Sequence, residues 1–130
     1  MPYIYRMNWD QALSDYLHYL RLERGLSENT RSNYKRDLQK LATYDSGQDL
    51  PAGPLNIERE QIEGFVHQIA SELHPRSQAR ILSALRGFFD YLVFEDYRRD
   101  TPMELIESPK TGRKLPDPLS PEEIDLMIAA

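Results

Sequence analysis

The sequence contains no cysteine, so neither a disulfide framework nor a thiolate metal site is open to it. That usage fits a reducing cytosol, and a cytoplasmic location is expected. No apolar run approaches the roughly 20 residues that a membrane span needs, so no membrane partner is expected. The opening Met1-Pro2-Tyr3-Ile4-Tyr5-Arg6 has no apolar segment of the kind a signal peptide carries. His18, His67 and His74 are scattered and lack metal-ligand spacing, which leaves no candidate metal site. No glycine loop of the phosphate-cradling type occurs, and no cofactor or small-molecule ligand is expected. Internal repeats and strand-like alternation of useful length are also absent.

What remains is 130 residues, 40% of them hydrophobic, enough for one core and not two. The formal net charge of −5 argues, taken alone, against nucleic acid as a partner. Its distribution is uneven. Residues 21–40 hold Arg21, Arg24, Arg31, Lys35, Arg36 and Lys40 against Glu23, Glu28 and Asp37. Residues 95–107 hold five acids against Arg98 and Arg99. One cationic face on an acidic protein is therefore possible.

Helical periodicity runs through the chain. The first helix is expected over residues 9–24, capped by Asn8, with Trp9, Leu13, Tyr16, Leu17 and Leu20 inward. Gly25 supplies a left-handed stop with Leu26 as its apolar partner. Ser27 caps a second helix that carries Tyr34, Leu38 and Leu41 inward and ends near Tyr44. Residues 45–54 read as an exposed loop, because they hold two glycines and two prolines. A third helix is expected over residues 58–73, with Ile62, Phe65, Val66 and Ile69 inward. Gly64 weakens it by roughly 1 kcal/mol relative to alanine, and His74-Pro75 ends it.

The fourth helix, over residues 76–94, has the widest apolar face: Ile81, Leu82, Leu85, Phe88, Phe89, Leu92 and Val93. A short fifth helix is expected over residues 103–106, capped by Thr101 with Pro102 at its first position. Residues 108–119, rich in proline and basic side chains, read as a linker. Ser120-Pro121-Glu122-Glu123 then has the pattern of a capped helix start, read as the first helix of a second domain cut short. The expected organisation is a helical domain over residues 1–107, a linker over 108–119 and the opening of another domain over 120–130.

Two helix faces hold the candidate functional residues. On a wheel with Tyr34 inward, the second helix turns Asn29, Ser32, Asn33, Arg36, Gln39 and Lys40 outward, with Arg31 and Lys35 toward one edge. Asn and Gln pair with adenine, Arg with guanine, and Lys and Ser reach phosphates. A plain solvated face is the competing reading, and the wheel alone favours it. On the fourth helix Arg76, Arg80, Ser83 and Gly87 fall on one outward stripe flanked by Arg86, and no acid precedes Asp90. Small residues between arginines let a helix approach another surface while the guanidinium groups hold phosphates or guanine. A helix–helix contact or a bare surface fits that stripe equally well.

Other constellations have simpler explanations. Tyr16, Tyr34 and Tyr91 sit at packing positions, so none is singled out as a nucleophile. Glu58, Glu60 and Glu63 imitate paired catalytic carboxylates but fit a solvated helix face. Trp9 belongs to the core.

Several segments, in order, resemble the tyrosine recombinases, also called phage integrases. Gly25-Leu26-Ser27-Glu28-Asn29-Thr30, followed by Tyr34 and Asp37-Leu38, resembles the first signature of the family. The run Ser83-Ala84-Leu85-Arg86-Gly87-Phe88-Phe89-Asp90-Tyr91-Leu92 resembles the second. Pro109-Lys110, Leu115-Pro116, Leu119-Ser120 and Glu123-Ile124 resemble the interdomain linker and the opening of the catalytic domain. The likeness extends from Trp9 onward and is nearest to the Xer branch.

The resemblance implies an all-α, SAM-like core-binding domain of four main helices plus a short fifth, which clamps double-stranded DNA together with a catalytic domain. It implies that the catalytic arginines, lysine, histidines and tyrosine lie in that other domain, so this chain binds DNA without cutting it. It further implies that four protomers assemble on two recombination sites, with the first and fifth helices available for contacts between neighbours. The DNA-binding residues carried forward are Asn29, Arg31, Ser32, Asn33, Lys35, Arg36, Lys40, Arg76, Arg80, Ser83, Arg86 and Gly87. Two alternatives stand beside this reading: a helical module whose acidic surface docks a basic protein, and a subdomain that only supports its missing neighbour.

Overall fold

The computed structural model describes residues 7–107. The expected linker and the helix start at Ser120 lie outside the described residues. Four α-helices make the domain: α1 (Trp9–Leu22), α2 (Glu28–Ser46), α3 (Arg59–Glu72) and α4 (Pro75–Phe94). Among the described residues there is no strand.

Local chemistry sets each boundary. Asn8 and Gln11 cap α1 reciprocally: Asn8 Oδ1 accepts from the Gln11 amide at 2.8 Å, and Gln11 Oε1 accepts from the Asn8 amide at 3.2 Å. Gly25 adopts φ +63°, and the Leu26 amide donates back to the Leu20 carbonyl at 3.2 Å. That closure stops α1 two residues earlier than expected. Ser27 Oγ accepts from the Thr30 amide and starts α2. His74 is more than a boundary residue. Its Nδ1 accepts from the Arg76 amide at 3.0 Å, so it caps α4, with Pro75 in the first turn.

The helix α2 runs past Tyr44 to Ser46, so Asp45 belongs to its last turn and not to the loop. Asp45 is buried. Its carboxylate accepts from Trp9 Nε1 at 2.9 Å, from the Ala52 amide at 3.0 Å and from the Gly53 amide at 2.8 Å. One side chain thus ties the start of α1 to the loop that follows α2.

In the core, α1 packs on α2, α2 on α4 and α3, and α3 on α4. Phe65, Phe88, Phe89, Leu38, Leu41, Ile62, Ile81, Leu82, Leu85 and Leu92 are fully buried. Each large apolar side chain removed from water in this way contributes about 1.5–3 kcal/mol. Aromatic rings link α1 to α4: Phe88 stacks on Trp9 at 6.0 Å and meets Tyr16 edge-on at 5.5 Å. Leu17 and Val66, expected inward, are only partly buried and flank this core, and Val93 is likewise only partly buried.

The expected fifth helix is a turn. The Thr101 hydroxyl accepts from the Met103 amide and the Ile106 amide donates to the Met103 carbonyl, but no helical ladder follows. Met103 and Ile106 are buried against the core instead. A segment this short cannot repay helix nucleation by itself, and its packing is satisfied by a single turn. Among the described residues no helix is long and apolar enough to cross a membrane, and no group of three or more potential metal ligands occurs.

Candidate nucleic-acid interface

The outer face of α2 follows the wheel. Asn29, Ser32, Asn33, Lys35, Arg36, Gln39 and Lys40 are all exposed. Arg36 Nη1 donates to Asn33 Oδ1 at 3.1 Å, which lays the guanidinium along the helix. Arg31 departs from the pattern: it is half-buried, and its Nε donates to the Leu26 carbonyl at 3.1 Å. Between Glu28 and Asp45 the single acid on α2 is Asp37, and it points inward.

On α4, Arg76 and Ser83 are exposed as expected. Arg80 is partly exposed and paired. Its Nε donates to Asp37 Oδ2 and its Nη2 to Asp37 Oδ1, both at 2.9 Å. The hydrogen bonds and charge of Asp37 raise the Arg80 pKa above its ordinary value. This bridge places the first half of α4 beside α2, so the two outward faces adjoin.

Two residues of the expected stripe sit differently. Arg86 is half-buried and its Nη2 donates to the Ile106 carbonyl at 2.8 Å, holding the chain after α4. Gly87 faces α1: a Cβ there would lie 2.8 Å from the Tyr16 hydroxyl. It is small because two helices meet there, and the outward reading of Gly87 is corrected. Ala84, beside Ser83, is likewise buried.

A groove runs beside this surface between α2 and α3. Arg36, Gln39 and Lys40 form one wall, Gln68 and Glu72 the other, over Phe65 and Ile69. The exposed cations on these two helices are Lys35, Arg36 and Lys40 from α2 and Arg76 and Arg80 from α4, interspersed with neutral hydrogen-bonding side chains. Such a set can neutralise phosphates and present donors and acceptors to base edges.

Sequence reasoning gave no structural role to the two buried carboxylates of α2, Asp37 and Asp45. A signal existed: Asp37 and Asp45 fall on the same stripe as Leu38 and Leu41, where a carboxylate needs a donor. Arg98 was also missed. It is buried, donates to the carbonyls of Pro54 and Ile57, both at 3.0 Å, and lies 5.3 Å over the Phe89 ring. No periodic pattern marks it.

Residues 13–96 match the family described as phage integrase, N-terminal SAM-like domain. The tyrosine recombinase XerD of Oceanobacillus iheyensis is 38% identical over 120 residues, covering 92% of this chain and 40% of that protein. The XerD proteins of Listeria innocua and Xanthomonas campestris are 35% and 34% identical, each over 93% of this chain and over 41% and 37% of their own lengths. Among solved structures, an integrase from mycobacterium phage Brujita superposes with a TM-score of 0.65 at 20% identity, over 91% of this chain and 39% of that one. At that identity the likeness speaks for the fold alone.

The chain belongs to the phage integrase N-terminal SAM-like domain family. The all-α fold and the resemblance to Xer-type tyrosine recombinases read from the sequence both hold. The chain spans about two fifths of the length of the curated relatives it matches.

Proposed function

We propose that this chain is the DNA-binding N-terminal part of a site-specific tyrosine recombinase, acting in recombination such as chromosome dimer resolution. The adjoining outer faces of α2 and of the first half of α4 lie against duplex DNA. Cleavage and rejoining belong to a further domain of the parent, which works as an assembly of protomers on two sites. The residues assigned to DNA are Asn29, Ser32, Asn33, Lys35, Arg36, Lys40, Arg76, Arg80 and Ser83. Arg31 and Arg86 sit at the edges of the surface.

One observation carries the reading. Between Glu28, at the start of α2, and Asp45 the one acid on that helix, Asp37, is buried and bridged to Arg80, so the outward side chains over residues 29–40 are cationic or neutral. On a protein of net charge −5 that segregation concentrates positive potential on one side.

The test is fluorescence anisotropy of a labelled duplex at several salt concentrations. Binding should weaken with salt, with a log–log slope of about −0.9 per phosphate contacted. The exposed triple variant Lys35→Ala, Arg36→Ala, Lys40→Ala should flatten that slope by about 2–3, on the same rule of about 0.9 per contact. Arg80 is left out of this variant because its loss strands the buried Asp37. A folded chain that ignores DNA at low salt, or a triple variant with an unchanged slope, would refute the assignment.

A second reading, a docking module for a basic protein, draws on a different surface. Leu22 and Phe94 are 60% and 73% exposed over a groove lined by Asp15, Glu23 and Glu95. Exposed apolar side chains ringed by acids favour a cationic, apolar partner. A folded chain that binds no duplex even at low salt would turn attention to this groove.

A further inference from the structure

We infer that Arg80 reads a guanine edge in the DNA major groove and that Asp37 is the residue that positions it. This rests on the DNA-binding reading above and assigns a distinct role within it.

The bridge uses only one side of the guanidinium. Nε and one proton of Nη2 go to the two oxygens of Asp37, each at 2.9 Å. What remains is the outer pair, an Nη1 proton beside the second Nη2 proton. That pair is a parallel two-donor fork, and it matches the O6 and N7 acceptors of guanine. The partners differ in exposure: the Asp37 side chain is 4% exposed and that of Arg80 is 59% exposed. The carboxylate sits inside the seam between α2 and α4, and the guanidinium caps it with its outer side uncovered. Ser83, one turn along, and the half-buried Ala79 are small and leave room for a base edge to approach.

Charge separates Arg80 from its neighbours. Lys35, Arg36, Lys40 and Arg76 are exposed and make no ion pair among the described residues. Each carries a full charge suited to a phosphate. The Arg80–Asp37 pair sums to zero, so bringing it to DNA displaces few counterions. Its contribution lies in directed hydrogen bonds from a side chain whose geometry is already fixed, which lowers the ordering cost of binding. Phosphates take charge; a neutralised, immobilised fork is better matched to a base.

The experiment selects bound duplexes from a randomised pool and measures the salt slope, using the 130-residue chain and three variants. Circular dichroism melts set a working temperature at which each is folded. Wild type should enrich a guanine at a fixed position. Arg80→Lys keeps a cation against Asp37 but loses the fork. It should lose that preference by about 5- to 150-fold, the range of a bidentate pair, with an unchanged slope. Lys35→Ala should do the opposite, flattening the slope by about 0.9 and keeping the guanine. Asp37→Asn should blur the guanine preference and steepen the slope by up to about 0.9, because it unmasks the arginine charge. A passive strut would leave the guanine preference unmoved.

A guanine preference that survives in Arg80→Lys, with an unchanged slope, would make Arg80 a phosphate contact or a bystander and overturn the inference. So would a guanine preference that is missing from a wild-type chain that still binds with a salt-dependent slope. A folded wild-type chain that binds no duplex would sink the DNA-binding reading itself, and this inference with it.

Discussion

Gly64 and Tyr44 illustrate how single residues are fixed by their neighbours. A Cβ at position 64 would collide with the Tyr44 hydroxyl. The ring of Tyr44 is held by Phe65 at a centroid distance of 5.6 Å. In an exposed helix, alanine in place of glycine stabilises by about 1 kcal/mol. Here Gly64→Ala should destabilise. In a Tyr44→Phe background, where the next atom is an ordinary contact at 3.6 Å, it should stabilise by about 1 kcal/mol. Urea midpoints of the four proteins in this double-mutant cycle would test both signs. From the sequence, Gly64 was legible as a weak point in a helix; its partner, twenty residues away, was not. The same holds for Asp37 and Asp45. Their positions on an apolar stripe were readable, but what they bind depends on where α1, α4 and a loop come to rest. Arg80 was identified as a surface cation, and its pairing with Asp37 is tertiary information.

At the scale of elements, the four main helices were legible because their apolar residues repeat at helical spacing over 14 residues or more. The ends shifted by one or two residues where a cap or a closing glycine decided the matter. The segment after α4 was read as a helix because Thr101 and Pro102 imitate a helix start. It has four residues to work with, and buried contacts hold it as a turn. Arg98 is its anchor. Burial lowers the Arg98 pKa, and the guanidinium is kept by two carbonyls, the Phe89 ring and Asp100 at 3.5 Å. Arg98→Met would retain much of the apolar stem and leave those carbonyls without donors. The expected loss is on the order of 2–6 kcal/mol, at about 1–3 kcal/mol for each of the two stranded groups. Denaturant unfolding would measure it. Because Arg98 lies off the α2 and α4 surface, the salt slope of DNA binding by the folded variant should not change.

For the whole molecule, the decisive property is the separation of charge. The net charge of −5 pointed away from nucleic acid, and composition alone cannot show which side a charge is on. Arg80 of α4 meets α2 at Asp37, Arg36 and Lys40 line the groove between α2 and α3, and Lys35 and Arg76 are exposed on the same two helices. Asp15, Glu23 and Glu95 line a different groove, between α1 and the end of α4. The cationic residues were readable on helical wheels; the Arg80–Asp37 bridge that joins α4 to α2, spanning 43 positions in sequence, was not.

The most direct test is a backbone amide NMR titration of the chain with duplex DNA at low salt. Shift changes should concentrate at residues 28–40 and 75–83 and fade as salt is raised. Changes centred instead on Leu22, Phe94 and Glu95, or none at all from a folded chain, would contradict the placement of DNA on the α2 and α4 surface.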